Sequence, residues 1–216
     1  MPFYVGLDLG QAADYTALAV VQGGTDKNFE TGEAEKYLRL RHLERYELRT
    51  PYPEIADKVA ALMREEALSP NEYDPSRARI YRSEPRLIVD NTGVGVAVSD
   101  LLKARGLKFE AVTITGGDRT HRTKTGGTWR VPKRDLVGAL EVPFHTGELK
   151  IAKDLALAPT LKKELLNFRR KVDLRTTHDS YEHWREGDHD DLVLAAALAC
   201  WWPRMRRGRT KLRVIR

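Results

Sequence analysis

The chain of 216 residues has a single cysteine, Cys200, so no internal disulfide framework is available to it. Cys200 lies in an apolar stretch and reads as a core residue, and the scattered histidines give no zinc-ligand spacing. No apolar run approaches the roughly 18 residues of a membrane span. The N-terminus lacks the pattern of a signal peptide, and a soluble intracellular protein is expected. Neither G-x-G-x-x-G nor G-x-x-x-x-G-K-S/T occurs, so the usual glycine-rich phosphate loops are missing. Internal repeats and linkers are absent as well, and this length suits one large α/β domain better than two small ones.

Charge is abundant: 37 Lys and Arg stand against 31 Asp and Glu, a net +6 with a pI near 9.4. A basic surface around an acidic centre suits a nucleic-acid partner, although a salt-bridged, solvated surface has the same balance. Four of the aspartates fall in three short motifs. Val5-Gly6-Leu7-Asp8-Leu9-Gly10 and Leu87-Ile88-Val89-Asp90-Asn91-Thr92-Gly93 are apolar runs that end on a carboxylate, with a glycine soon after. His189-Asp190-Asp191-Leu192-Val193 opens an alanine-rich stretch.

Alternation and 3.6-residue stripes give the order of elements. Strands are expected at 3–9, 16–22, 36–47, 86–90 and 109–115. Helices are expected from Pro53 through Met63, from Gly93–Gly95 to Gly106, and at 132–142, 154–168 and about 190–202. Residues 69–85 and the polar run 116–128 read as loops, and a hairpin is expected around Lys171 to Trp184. This is a mixed five-stranded sheet with an antiparallel edge, flanked by helices, spanning residues 1–203. Residues 204–216 read as a basic, flexible tail.

Asp8 and Asp90 thus fall at strand tips, where a bare carboxylate is costly unless it is paired or holds a metal. A carboxylate accepting turn N–H groups is the ordinary explanation for Asp8. For Asn91 and Thr92, helix capping and phosphate contact beside Gly93–Gly95 fit the spacing equally well. Asp190 and Asp191 begin an almost wholly apolar helix. Capping needs one carboxylate, and a metal accounts for the second. Asp14 and His189 are candidates for supporting contacts. Arg119, Arg122, Lys124, Arg130, Lys133 and Arg134, interleaved with Trp129, suit a nucleic-acid backbone. Tyr181, Trp184 and Arg185 would line the same cleft or anchor the core.

Together these segments resemble the nuclease domain of the large terminase subunit of tailed bacteriophages, within the ribonuclease H-like superfamily. The resemblance rests on Gly6-Leu7-Asp8-Leu9-Gly10 with Asp14-Tyr15-Thr16-Ala17, on Val89-Asp90-Asn91-Thr92-Gly93-Val94-Gly95, on Val131-Pro132-Lys133-Arg134-Asp135-Leu136-Val137, and on His189-Asp190-Asp191. It spans nearly the whole chain. It implies an endonuclease that cuts concatemeric viral DNA during genome packaging in the cytoplasm of the infected host, using two Mg²⁺ or Mn²⁺ ions. Asp8, Asp90 and Asp191, assisted by Asp190, would be the metal ligands and catalytic carboxylates. Implied partners are double-stranded DNA, the terminase ATPase domain, the small terminase subunit and the portal. Large terminases carry a glycine-rich ATPase loop ahead of the nuclease; starting at the first nuclease strand, this chain is expected to be the excised domain. Three alternatives share part of the pattern. They are a Holliday-junction-resolvase-like nuclease, an actin- or sugar-kinase-like ATP-binding domain, and a DNA-binding module without chemistry.

Overall fold

The computed structural model describes residues 1–10, 14–27, 32–74, 79–93, 95–125, 127–175 and 189–210. Three strands come first: β1 (Phe3–Asp8), β2 (Ala17–Lys27) and β3 (Ala34–Arg45). Helix α1 (Tyr52–Met63) and a short 3-10 turn lead to β4 (Asn71–Asp74) and β5 (Arg79–Arg82). Then follow β6 (Arg86–Asp90), α2 (Gly95–Ala104), β7 (Phe109–Thr115), β8 (His121–Arg122) and β9 (Trp129–Pro132). The described elements end with α3 (Lys133–His145), β10 (Leu149–Ile151), α4 (Ala158–Arg175) and α5 (Asp191–Thr210).

The main sheet runs β10-β3-β2-β1-β6-β7-β9-β8. Strands β1, β2 and β3 pair antiparallel, whereas β1, β6, β7 and β9 are parallel neighbours. The five expected strands form its centre, with the expected antiparallel side. Three short strands extend it to eight: β10 beside β3, and the β9–β8 pair beyond β7. The last two lie within or just after the polar run 116–128, whose Gly, Thr and Arg hid a short hairpin from any hydrophobic pattern. Residues 69–85, expected as a loop, contain the antiparallel pair β4–β5, a separate two-stranded sheet.

Both ends of the α4–α5 region also differ from expectation. Helix α4 continues to Arg175, through the first residues of the expected hairpin, and the rest of that hairpin lies outside the described residues. Helix α5 continues past Trp202 to Thr210, into the stretch read as a tail. Arginine is a good helix former, and Arg204 is anchored to Glu148 at 3.2 Å, so basic composition there does not end the helix. Residues 211–216 lie outside the described set.

Strand alternation sorts β1 into two faces. Val5 and Leu7 pack with Leu18, Val20, Leu87 and Val89 against Ile55 and Val59 of α1 and Val98 and Leu102 of α2. The opposite face meets α5, α3 and α4 through Ala17, Ala19, Val21, Ile88 and Val112. Gly6 and Asp8 belong to that second face. Its centre is built from small residues, and they let α5 approach closely. A Cβ at Gly6 would overlap the carbonyl oxygen of Ala195 and stand 2.8 Å from the nitrogen of Ala199.

This packing generates a contrast between two glycines. Gly6→Ala should lower unfolding free energy by about 3 kcal/mol, since backbone on both sides leaves nothing flexible to yield. Gly138→Ala, inside α3 with open space around the new methyl, should raise it by up to about 1 kcal/mol. Urea unfolding of the two variants against the parent checks both signs.

Candidate active site

Four aspartates come together at the ends of β1 and β6. Leu7 is in register with Val89, so the ends of parallel strands β1 and β6 set Asp8 beside Asp90 on the α5 face. Helix α5 crosses that face at Gly6, and its first residue, Asp191, arrives at the same place. All three carboxylates are buried: Asp8 and Asp90 are 7 % exposed, and Asp191 is 5 % exposed.

Each strand tip is shaped by its own turn. Gly10 donates its N–H to Thr16 Oγ1 at 3.1 Å, and Tyr52 of α1 donates its hydroxyl to the Gly10 carbonyl at 2.9 Å. After β6, the Thr92 N–H donates to Asp90 Oδ1 at 2.8 Å, and Thr92 Oγ1 accepts the Ile114 N–H at 2.8 Å. Ser99 of α2 donates to Asn91 Oδ1 at 3.0 Å. Thus Asn91 and Thr92 tie the loop to its neighbours, and Gly93 turns it with φ 81°.

Asp190 immediately precedes helix α5, and its carbonyl accepts the Leu194 N–H at 2.9 Å. The Asp190 carboxylate accepts from Lys133 Nζ at 3.0 Å. Lys133, first residue of α3, therefore turns into the acidic cluster and is not one of the outward cations. Arg134 pairs with Asp118 at 3.1 Å, and Arg122 donates Nε to the Gly127 carbonyl at 2.8 Å while its guanidinium covers Trp129. Arg119, Lys124 and Arg130 are exposed. His189 Nδ1 lies 3.8 Å from Asp191 Oδ2, with its ring edge-on to Tyr15. Asp14 is near enough for its charge to oppose ionisation of Asp191. Tyr181, Trp184 and Arg185 lie outside the described residues.

Two further residues, Arg45 and Glu164, were not legible in the sequence. Arg45 ends β3 opposite Ala17, and its guanidinium pairs with Glu164 and lies 3.6 Å from Asp191 Oδ2. Glu164, 5 % exposed, accepts the N–H groups of Leu192 and Val193 at 3.1 and 3.3 Å. It is thus the acceptor for the first turn of α5. The signal available was a glutamate on the apolar face of α4, between the buried Leu161 and the half-buried Leu165. Isolated, that pattern looks like an ordinary interruption of a helical stripe.

The electrostatics are those of charge withheld from water. Burial raises Asp8 well above the ordinary carboxylate range, and the charges of Asp90, Asp191 and Asp190 add to it. Burial also raises Asp90, opposed by its bonds from Thr92 and Asp8. Both shifts have the same direction, so burial disfavours the charged form of Asp8 and of Asp90. Asp191 is pushed up by burial to about 6, with Arg45 working against the rise. Lys133 is lowered by burial, against the pull of Asp190.

The donor set is carboxylate oxygen throughout, the chemistry that hard divalent cations take. Asp191 Oδ2 is buried without a hydrogen-bond partner, as an acceptor awaiting a cation would be. Among the described residues no three His, Cys, Asp or Glu side chains are gathered as the cage of a single ion. Arg45 and Lys133 instead offset part of the negative charge.

The crystal structure of the large terminase nuclease from thermophilic phage G20c superimposes on 92 % of this chain and 80 % of its own, with a TM-score of 0.51 and 17 % sequence identity. The two share a fold. The resemblance read from the sequence motifs therefore holds at the level of architecture, a ribonuclease H-like sheet with helices on both sides. No family model and no curated protein matches the sequence. No helix among the described residues is long and apolar enough to cross a membrane.

The raised Asp191 makes a stability prediction with a definite sign. A carboxyl whose folded value lies above its unfolded one is harmless below 3.8 and costs stability as pH rises through about 6. In the absence of divalent metal, Asp191→Asn should match the parent near pH 4. By pH 7 it should exceed it by up to about 3 kcal/mol. Thermal melts of the two proteins across that range check it; equal differences at both ends would contradict the burial argument.

Proposed function

We propose that this chain is a divalent-metal-dependent endodeoxyribonuclease of the terminase type, cutting concatemeric phage DNA during genome packaging. The observation that carries the reading is the buried trio Asp8, Asp90 and Asp191, with an unpartnered oxygen on Asp191, set on a fold shared with a large terminase nuclease. The proposed setting is the cytoplasm of the infected host, and the proposed partners are the packaging ATPase domain, the small subunit and the portal.

The proposed roles follow from position. Asp8, whose carboxylate feels the charges of Asp90, Asp191 and Asp190, would hold both Mg²⁺ or Mn²⁺ ions together with Asp90 and Asp191, assisted by Asp190. When bound, such a pair activates a water and stabilises the leaving oxygen of an in-line displacement. Asp190 holds Lys133 at the rim of the cluster, where an ammonium can meet a phosphate oxygen. His189, half-exposed beside Asp191, is placed to orient water or phosphate. The exposed Arg119, Lys124 and Arg130 on the β8–β9 side would hold the DNA backbone through phosphate contacts.

Plasmid digestion tests the chemistry. Mg²⁺ and Mn²⁺ should support cutting, Ca²⁺ little because of its looser coordination, and EDTA none. Asp8→Asn should reduce cutting by at least about 1,000-fold in a folded protein. A folded Asp8→Asn variant that cuts as the parent does would overturn the assignment. A four-way junction substrate run in parallel separates junction resolution from cutting of linear duplex.

DNA affinity should fall steeply with salt, as counterion release requires. Replacing Arg119, Lys124 and Arg130 together with alanine should weaken oligonucleotide binding at low salt about tenfold or more and flatten that salt dependence. Fluorescence anisotropy reads both. Unchanged affinity would remove the β8–β9 side from the DNA path.

A further inference from the structure

Two charged partners in the cluster each leave a buried polar atom without a hydrogen bond: Arg45 Nε and Asp191 Oδ2. They belong to groups that face each other. A structural arginine–carboxylate pair normally uses the fork of the guanidinium for two parallel bonds. Here one nitrogen, Arg45 Nη2, serves both Glu164 and, at 3.6 Å, Asp191 Oδ2. The guanidinium carbon lies 4.9 Å from the centre of the Tyr15 ring. Both oxygens of Glu164 are engaged within the protein, since Arg45 takes one and the Leu192 and Val193 N–H groups take the other. Its role is to anchor Arg45 and the helix start together.

We infer that Arg45, anchored by Glu164, is a resident counter-cation that competes with the metal for Asp191 Oδ2 and so sets the affinity of the ion that Asp191 holds. This rests on the two-metal reading above. The pair Arg45–Glu164 is formally neutral. Removing its positive member leaves an extra buried negative charge beside the ion, and neutralising its negative member leaves an unopposed positive one. The two substitutions must therefore move metal affinity in opposite directions. A network that merely supported the fold would weaken metal binding when either side is lost.

The test is titration of the metal-free full chain with Mn²⁺ by calorimetry, for the parent, Arg45→Met, Arg45→Lys and Glu164→Gln, each checked by circular dichroism. Arg45→Met should lower the Kd for Mn²⁺ about tenfold or more, and Glu164→Gln should raise it by a similar factor. Arg45→Lys keeps the charge and should stay within about threefold of the parent. Parent binding with both Arg45→Met and Glu164→Gln weaker, or with neither changed, overturns the counter-cation role while leaving the metal site standing. If Arg45→Met does not fold, Glu164→Gln with unchanged or tighter binding is sufficient to overturn it. A parent that takes up no Mn²⁺ overturns the two-metal reading itself, and this inference with it.

Discussion

The contact between Gly6 of β1 and the Ala195–Ala199 turn of α5 is the constraint on which the remaining geometry depends. Helices normally stand off a sheet by the length of their side chains. Here glycine and alanine on the strands meet alanine on the helix, so backbone approaches backbone. The gain in buried contact is modest per residue, but position is fixed within narrow limits, because neither side can yield without moving main chain. Four residues before Ala195 lies Asp191, and two residues after Gly6 lies Asp8. Any change in the crossing of α5 over β1 moves one carboxylate relative to the other.

That closeness concentrates negative charge, and the surrounding structure counters it. Arg45 arrives from the end of β3 beside Asp191 of α5, and Lys133 arrives from the start of α3 to pair with Asp190 just before that helix. The N-terminal ends of α3 and α5 meet at the cluster, and unpaired N–H groups there favour anions. Glu164 takes two of them for α5. Even so, Asp8 is raised well above the ordinary carboxylate range and Asp191 to about 6. An arrangement optimised for folding alone would replace such a group with well-packed apolar side chains. Its presence at the centre of an otherwise apolar face is the physical argument for function.

Much of this was legible in the sequence because local pattern and global position agree. Apolar strands ending in Asp8 and Asp90 must present those carboxylates at an edge of the sheet, and parallel neighbours place both at the same edge. The wholly apolar start of α5 could only be a buried helix, so Asp190 and Asp191 had to approach the same core. What was hidden depends on pairings distant in sequence. Arg45 and Glu164 are 119 residues apart, and neither has a neighbour that announces the other. Lys133 sits in a run of cations, and only the fold distinguishes the one turned inward from those left outside. The short strands β8 and β10 have two and three residues, too few for alternation to register.

The same distinction explains why the two kinds of charge have different duties. Outward cations such as Arg119 and Lys124 lie in water, where screening leaves them able to attract a polyanion but little able to stabilise the fold. Inward Arg45 and Lys133 lie against buried carboxylates, where each charge is felt strongly and each loss leaves an uncompensated partner. A net charge of +6 therefore understates the contrast within the molecule. Its basic residues sit mostly outside, whereas its acidic centre lies among apolar side chains at the ends of β1 and β6. On the proposed function, divalent cations would reconcile the two, because such ions can neutralise carboxylates and bind phosphate oxygen at once.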